Sequence, residues 1–270
     1  MNIERFKDII NYSDKNRQSM ELKVVDFYRE IGMDANGTIR NMLQLVRPIF
    51  SDKGYIIVEL PFKDPEIGAL CYKGDSIGYV FLNTSLPRVN VNFALCHEVY
   101  HVFYQESGLE HKIELYINEQ YYEHEEELAA NLFAGMVLMP EQNFKFMFDK
   151  FLREQKISDT TVSVLAKLMN YFEVPYMAVL IRCYELRLLE AGDTLKELLN
   201  LTKENLKEEF LKLWLEEEIL EPSKKDDFLK FELFVKMLGE TYVEEEYISK
   251  RTVDKALKNM NRLYQQIKGE

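Results

Sequence analysis

The five residues from His97 to His101 read His-Glu-Val-Tyr-His, a spacing that can hold a metal ion beside a proton acceptor. Side chains four positions apart on a helix lie on the same face, so His97 and His101 can direct ring nitrogens at one Zn²⁺ ion. Glu98 lies about 100° further round the helix, where it is better placed to take a proton from water than to bind the metal. The motif therefore predicts the centre of a zinc hydrolase.

The segment around this motif predicts a buried helix. Burying two histidines and a glutamate without a purpose costs several kcal/mol, so a metal site is favoured over a solvated His/Glu cluster. Cys96 falls within the apolar pattern and is expected to pack in the core rather than to bind metal. The apolar side chains recur at helical spacing: Phe93, Cys96, Tyr100 and Phe103, and also Leu95, Val99 and Val102.

A zinc site needs at least one further protein ligand, and an acidic segment starts the next predicted helix, which ends at Pro140. Glu127 lies four residues before Asn131, so the two share a face, and Asn131 is expected to orient one of the histidines. The residues alone leave Glu127 as the best of four candidate ligands. The other three acids are more simply a solvated first turn: Glu123, Glu125 and Glu126.

Two segments together, NFALCHEVYH and the later EELAANLFAGMVLMP, resemble the ImmA/IrrE family of bacterial metallopeptidases. The resemblance extends in weaker form over residues 20–190, and it implies that Glu127 completes the zinc site with His97 and His101. It also implies a narrow-specificity endopeptidase that cleaves a helix-turn-helix repressor, often encoded nearby on a mobile element, to release transcription. Tyr100 and Cys96 stand where the family commonly has Gly and Ala.

A different class remains open: a non-catalytic module that sequesters a repressor or toxin and holds a structural metal. Glu98 favours the enzyme, because a structural metal site has no need of a base. The donor that would stabilise the oxyanion is not fixed by the sequence. Four residues are near enough in sequence to be candidates, each also explained as an ordinary surface or packing residue: Tyr104, His111, Tyr122 and His124.

Composition indicates an intracellular enzyme. The chain of 270 residues has a net charge of −12, three widely spaced cysteines without a C-x-x-C pair, and no apolar run that could span a membrane. We therefore expect a cytoplasmic protein with no membrane partner. The acidic charge argues against direct binding of nucleic acid, although it does not exclude a small basic patch.

The chain is predicted to be α+β and predominantly helical. Residues 1–140 form the metallopeptidase core, with N-terminal helices (Thr38 as the N-cap of the second) and a small antiparallel sheet packed on the zincin-like H-E-x-x-H helix. An edge of this sheet could receive an extended substrate. Its strands are expected at residues 55–60, 69–72 and 77–82.

Residues 141–190 predict a helix-turn-helix-like segment, turning at Glu173–Pro175. Its second helix begins with Pro, Tyr, Met and Ala and has Arg182 only later, which favours structural packing over reading of DNA and leaves hydrophobic docking of a partner open. Residues 191–270 predict three further helices. The last carries an apolar stripe, which makes it a candidate for packing on the core, for a homodimer interface or for partner recognition.

Overall fold

The computed structural model describes residues 1–74, 77–104, 124–156, 159–190, 192 and 194–269, and within these the fold is α+β and predominantly helical, as predicted. The strands are Tyr55–Leu60 (β1), Ala69–Lys73 (β2) and Gly78–Asn83 (β3). A short 3-10 helix spans Glu217–Leu220. The α-helices, in chain order, are Ile3–Glu30 (α1), Met42–Asp52 (α2), Arg88–Tyr104 (α3), His124–Leu138 (α4), Glu141–Arg153 (α5), Thr161–Phe172 (α6), Tyr176–Glu185 (α7), Thr194–Leu199 (α8), Lys203–Lys212 (α9), Phe228–Glu244 (α10) and Lys250–Lys268 (α11).

The sheet is mixed, with the strand order β1-β3-β2. β2 and β3 are antiparallel, whereas β1 runs parallel to β3 with Tyr55 opposite Gly78, so the expectation of a wholly antiparallel sheet was wrong for β1. The segment between β1 and β2 is too long for a tight hairpin. It carries the chain beyond the position next to β1, and β3 occupies that position instead. β2 is consequently an edge strand.

Asn83, at the end of β3, fixes that segment in place. Its side chain is fully buried; Oδ1 accepts hydrogen bonds from the backbone N–H groups of Phe62 and Ser85, both at 3.0 Å. Its amide nitrogen donates to the carbonyls of Asp64 at 3.0 Å and Ile67 at 2.8 Å. One side chain thus satisfies four backbone groups that the crossover would otherwise bury without partners.

The core lies between α3, α4, α1 and one face of the sheet. Phe27 of α1 places its ring 5.6 Å from both Phe103 of α3 and Phe133 of α4, in edge-to-face contacts. The hydroxyl of Tyr28 donates to the carbonyl of Val137 at 2.7 Å, which ties α1 to α4. The long N-terminal helix therefore forms the support behind the two helices that carry the motifs.

The second helix begins later than expected. The side chain of Asn41 accepts from the N–H of Gln44 at 3.1 Å and caps α2, so the prediction of Thr38 as the N-cap was wrong. Thr38 instead accepts a hydrogen bond from the side chain of Asn143. Both residues suit a cap, and only packing selects between them.

Helices α6 and α7 meet at 107°, within the range of a helix-turn-helix pair. Arg182 is 2% exposed and donates to the carbonyl of Met139 at 3.1 Å and to Glu185 at 2.8 Å. Arg182 is therefore buried, and the interpretation of this pair as a packing element rather than a reader of DNA stays a prediction. Across the described ranges, no single helix is long and apolar enough to cross a membrane; α6 and α7 pass that test only as a bent pair.

The C-terminal region holds four α-helices and the 3-10 helix rather than the three helices expected. Helices α10 and α11 form a hairpin that covers the face of the sheet opposite to α3. The rings of Phe228 and Tyr264 stack at 3.8 Å, and Phe231 lies 5.4 Å from Tyr79 and 5.7 Å from Phe81. The division into three regions and the homodimer interface stay predictions; α10 does leave an apolar stripe exposed, formed by Leu229, Leu233 and Met237.

Candidate metal centre

Helices α3 and α4 bring three donor side chains to one point. The Nε2 atoms of His97 and His101 lie 3.1 Å apart, as one turn of helix dictates. Glu127, from the first turn of α4, places one carboxylate oxygen 3.2 Å from Nε2 of His97 and the other 3.7 Å from Nε2 of His101. Among the described residues this is the one group of three His, Cys, Asp or Glu side chains close enough to hold a metal ion.

These three distances fit a zinc ion. Four ligands at about 2.0–2.2 Å from a tetrahedral Zn²⁺ stand about 3.4 Å from each other. The observed separations of 3.1, 3.2 and 3.7 Å bracket that value. Two imidazoles and a carboxylate also match the donor set of catalytic zinc sites, which keep a fourth position open. Glu127 leaves 51% of its side chain exposed, so solvent reaches this carboxylate.

Asn131 lies one turn after Glu127, where the sequence predicts it, and contacts a histidine. Its Oδ1 is 3.0 Å from Nδ1 of His97. Because this oxygen is an acceptor, Nδ1 of the ring donates to it, and this contact leaves Nε2 directed at Glu127 and His101. The geometry is the one expected of a residue that orients a metal-binding histidine.

Glu98 is 7% exposed beside the three donors, with no room for a hydration shell. Burial raises the pKa of Glu98 to about 7; the neighbouring His97 opposes this shift and the charge of Glu127 adds to it. For His97, burial lowers the pKa, but the hydrogen bond to Glu127 and the nearby carboxylates outweigh it, so the net shift is upward. The site thus concentrates carboxylate charge around the imidazoles.

The two cysteines near the site have different surroundings. Cys96 is fully buried and its pKa is raised by burial, which confirms the prediction that it packs in the core. Cys71, on the edge strand β2, lies close enough to Glu98 for that carboxylate to add to the rise in its pKa that burial causes. β2 packs against α3, the helix that carries Glu98, a neighbourhood that no sequence spacing signals.

Tyr100, which precedes His101 in the motif, joins the site to α1. It is 8% exposed, its ring lies 5.8 Å from that of His101, and its hydroxyl accepts a hydrogen bond from Nζ of Lys23 at 2.9 Å. The ammonium group of Lys23 also lies 4.5 Å from the centre of the Tyr100 ring. Sequence reasoning missed Lys23, because it lies on another helix and belongs to no motif.

Of the four candidates for stabilising an oxyanion, only Tyr104 has a described side chain. The hydroxyl of Tyr104 donates to the carbonyl of Lys23 at 2.7 Å, so it is directed at α1. Burial raises its pKa to about 12, with contributions from Asp26 and Glu30. His111, Tyr122 and the side chain of His124 lie outside the described residues.

A histidine pair and a glutamate on two packed helices, beside the edge of a small sheet, define the class of site found in metallopeptidases. Residues 51–184 match the family described as the IrrE N-terminal-like domain, Peptidase M78. The chain belongs to this ImmA/IrrE family, as the resemblance predicted, and the match covers every residue proposed for the site. A metallopeptidase-type function follows from that membership. No curated protein and no solved structure matched the chain.

Proposed function

We propose that this protein is a zinc-dependent endopeptidase of narrow specificity that cleaves a helix-turn-helix transcriptional repressor and so releases transcription. The enzymatic part rests on the convergence of His97, His101 and Glu127, whose donor atoms are separated as ligands of a tetrahedral zinc ion would be. Glu98 is buried beside them. The repressor as substrate rests on the family resemblance.

A zinc ion held by the three side chains would polarise a peptide carbonyl and lower the pKa of water. Glu98 then supplies the acid–base chemistry. Its carboxylate accepts a proton from the attacking water and passes it to the amide nitrogen that leaves, which requires a group that exchanges protons near neutral pH. Burial raises the pKa of Glu98 above that of an exposed glutamate, which favours this property. Asn131 holds the His97 ring, and its role is positional.

The edge strand β2 supports the binding of an extended peptide. The hydrogen bonds from Asn83 N–H to the Gly68 carbonyl and from Gly74 N–H to the Ile77 carbonyl, both 3.0 Å, fix the register of the β2–β3 ladder. Antiparallel ladders alternate, so the even-numbered residues of β2 bond to β3 and the odd-numbered ones direct their N–H and C=O groups at the open edge. No described strand pairs with that edge.

Three β2 residues therefore face the open edge: Ala69, Cys71 and Lys73. Because β2 packs against α3, the helix that carries His97 and Glu98, a peptide that adds to this edge as a further strand would lie near the metal centre. Backbone pairing recognises an extended segment of any sequence. Narrow specificity must then come from a substrate that exposes such a segment and from side-chain contacts around it.

The first test of this proposal is metal content. We expect about one zinc per native chain and loss of that zinc in His97→Ala and in Glu127→Gln. Glu125→Gln is the matched control, since Glu125 lies on the same helix turn and is exposed. A native chain that takes up no zinc when zinc is supplied would contradict the zinc-enzyme proposal.

The second test is cleavage. Helix-turn-helix repressors, beginning with any encoded beside the protease gene, are co-expressed with each variant, and fragments are identified by mass spectrometry. Glu98→Gln has the same shape as the native side chain but cannot accept a proton; we expect it to retain zinc and to lose cleavage by about 10²–10⁴-fold. If transcription is released from repression undiminished in Glu98→Gln, the protein acts by binding the repressor and the proteolytic proposal is wrong.

A further inference from the structure

Helix α11 has a charge opposite to that of the rest of the chain. It carries six Lys or Arg residues and one acid, Asp254, a net charge of +5, whereas the whole chain carries −12 and the remaining residues therefore carry −17. Four of its cations recur at i, i+4, i+7 and i+11, and so they fall within about 60° of one another around the helix. We call them the basic stripe: Arg251, Lys255, Lys258 and Arg262.

The basic stripe faces solvent. All four side chains are exposed, and within the described part of the chain none of them makes an ion pair or a side-chain hydrogen bond. The stripe spans about 16 Å along the helix axis. The four like charges of the stripe repel one another, and a polyanion bound along the stripe would relieve that repulsion.

The opposite face of α11 is held against the body of the protein. Val253 is buried against Gly239 of α10, where any added Cβ would come within 2.7 Å of the valine side chain. Met260 and Tyr264 pack into the cluster beneath the sheet, and the N–H of Lys63 donates to the carbonyl of Ile267 at 2.8 Å. The stripe is therefore presented in a fixed orientation by a packed helix.

These features favour nucleic acid over other anionic partners. A membrane-surface helix inserts its apolar face into the lipid, but on that face of α11 Val253, Met260 and Tyr264 pack against α10 and the sheet, on the side opposite to the stripe. An acidic protein partner would usually add an apolar contact at the centre of the interface, and the stripe contains none. It is flanked instead by side-chain amides that suit phosphate oxygens: Asn259, Gln265 and Gln266.

We propose that α11 binds the phosphate backbone of nucleic acid through the basic stripe, without reading its sequence. The acidic remainder of the chain confines this contact to one face and keeps it weak and salt-dependent. The contact is separate from the helix-turn-helix-like pair α6–α7, whose arginine Arg182 is buried. It does not depend on proteolysis, and a catalytically inactive variant should bind equally well.

The test measures the fluorescence anisotropy of a labelled DNA duplex of mixed sequence, titrated with the full chain at several salt concentrations. Four phosphate contacts predict a log–log slope of about −3.6, and hence a loss of affinity of about 10²-fold between about 50 and 200 mM salt. The stripe variant replaces all four cations by Gln. The matched control removes four exposed cations elsewhere: Arg5, Lys7, Lys15 and Lys203, each to Gln.

We expect the stripe variant to lose binding and the control to keep the native slope and an affinity within about threefold of native, since distant charges are screened. Arg251→Gln with Arg262→Gln should reduce the slope to about −1.8, which gives an answer even if the fourfold variant misfolds. Circular dichroism verifies folding.

Three results would overturn the proposal. The first is absence of binding by the native chain at about 50 mM salt, where four contacts should be detectable. The second is an equal loss of affinity in the stripe variant and the control, which would mean that only net charge matters. The third is tighter binding of polyglutamate than of DNA, which would assign the stripe to an acidic protein.

Discussion

Asn131→Ala tests whether one hydrogen bond sets the metal affinity of the site. The substitution removes the oxygen that lies 3.0 Å from Nδ1 of His97 and leaves all three proposed ligands in place. Without it, the ring can rotate or place its proton on Nε2, the atom that faces Glu127. Loss of such a partner typically weakens metal binding 10–100-fold, so we expect a loss of about 1.4–2.8 kcal/mol of zinc-binding free energy.

The assay is competition for zinc with a chromogenic chelator, together with thermal unfolding at fixed free zinc. Because bound zinc stabilises the folded state by RT ln(1 + [L]/Kd), a tenfold weaker site loses about 1.4 kcal/mol of zinc-dependent stabilisation. Stability without zinc should change little, since Asn131 is exposed. Asn131→Asp keeps an acceptor and should bind zinc at least as tightly as the native chain.

Glu125→Ala on the same helix is the control and should bind zinc as the native chain does. If Asn131→Ala also binds zinc with native affinity, Asn131 does not orient His97 and the prediction is wrong. If Glu125→Ala loses as much affinity as Asn131→Ala, the effect is one of helix stability or local charge rather than of the hydrogen bond.

Three further predictions concern stability. Asn83→Ala should cost about 2–5 kcal/mol in chemical denaturation, because it leaves buried backbone groups without partners, whereas Asn200→Ala, which removes one exposed bond, should cost less than about 1. Gly239→Val should separate α10 from α11 by its clash with Val253, seen as increased proteolysis of the hairpin without loss of zinc; an unchanged digest would contradict the close packing. A hydrogen bond from Lys145 lowers the pKa of Glu141, and partial desolvation opposes this shift. The stabilisation is therefore present above the ordinary pKa of 4.5 and is lost as the pH falls through the folded-state pKa. At neutral pH, but not in acid, Glu141→Gln should be less stable than native by under about 1 kcal/mol, because the pair is partly exposed.

The sequence alone determined the local parts of the site. Both motifs lie within single helices, where a fixed rise and turn convert spacing directly into geometry. The pairing of His97 with His101, and of Glu127 with Asn131, could therefore be predicted, as could the α3 and α4 helices and, to within one residue, the bounds of the strands. The choice of Glu127 among the neighbouring acids needed the family resemblance, because three alternatives occupy the same acidic segment.

Only the tertiary structure decided how separate elements meet. The parallel pairing of β1 with β3 depends on the path of the connecting segment and on Asn83, whose four hydrogen bonds join residues distant in sequence. The contact of Lys23 with Tyr100 and the packing of β2 against α3 likewise leave no periodic pattern in the sequence. The sequence shows which residues of α11 are cations, but it does not show whether their side chains face the rest of the protein or solvent. That choice depends on which face the rest of the protein buries, and burial is a property of the assembled fold.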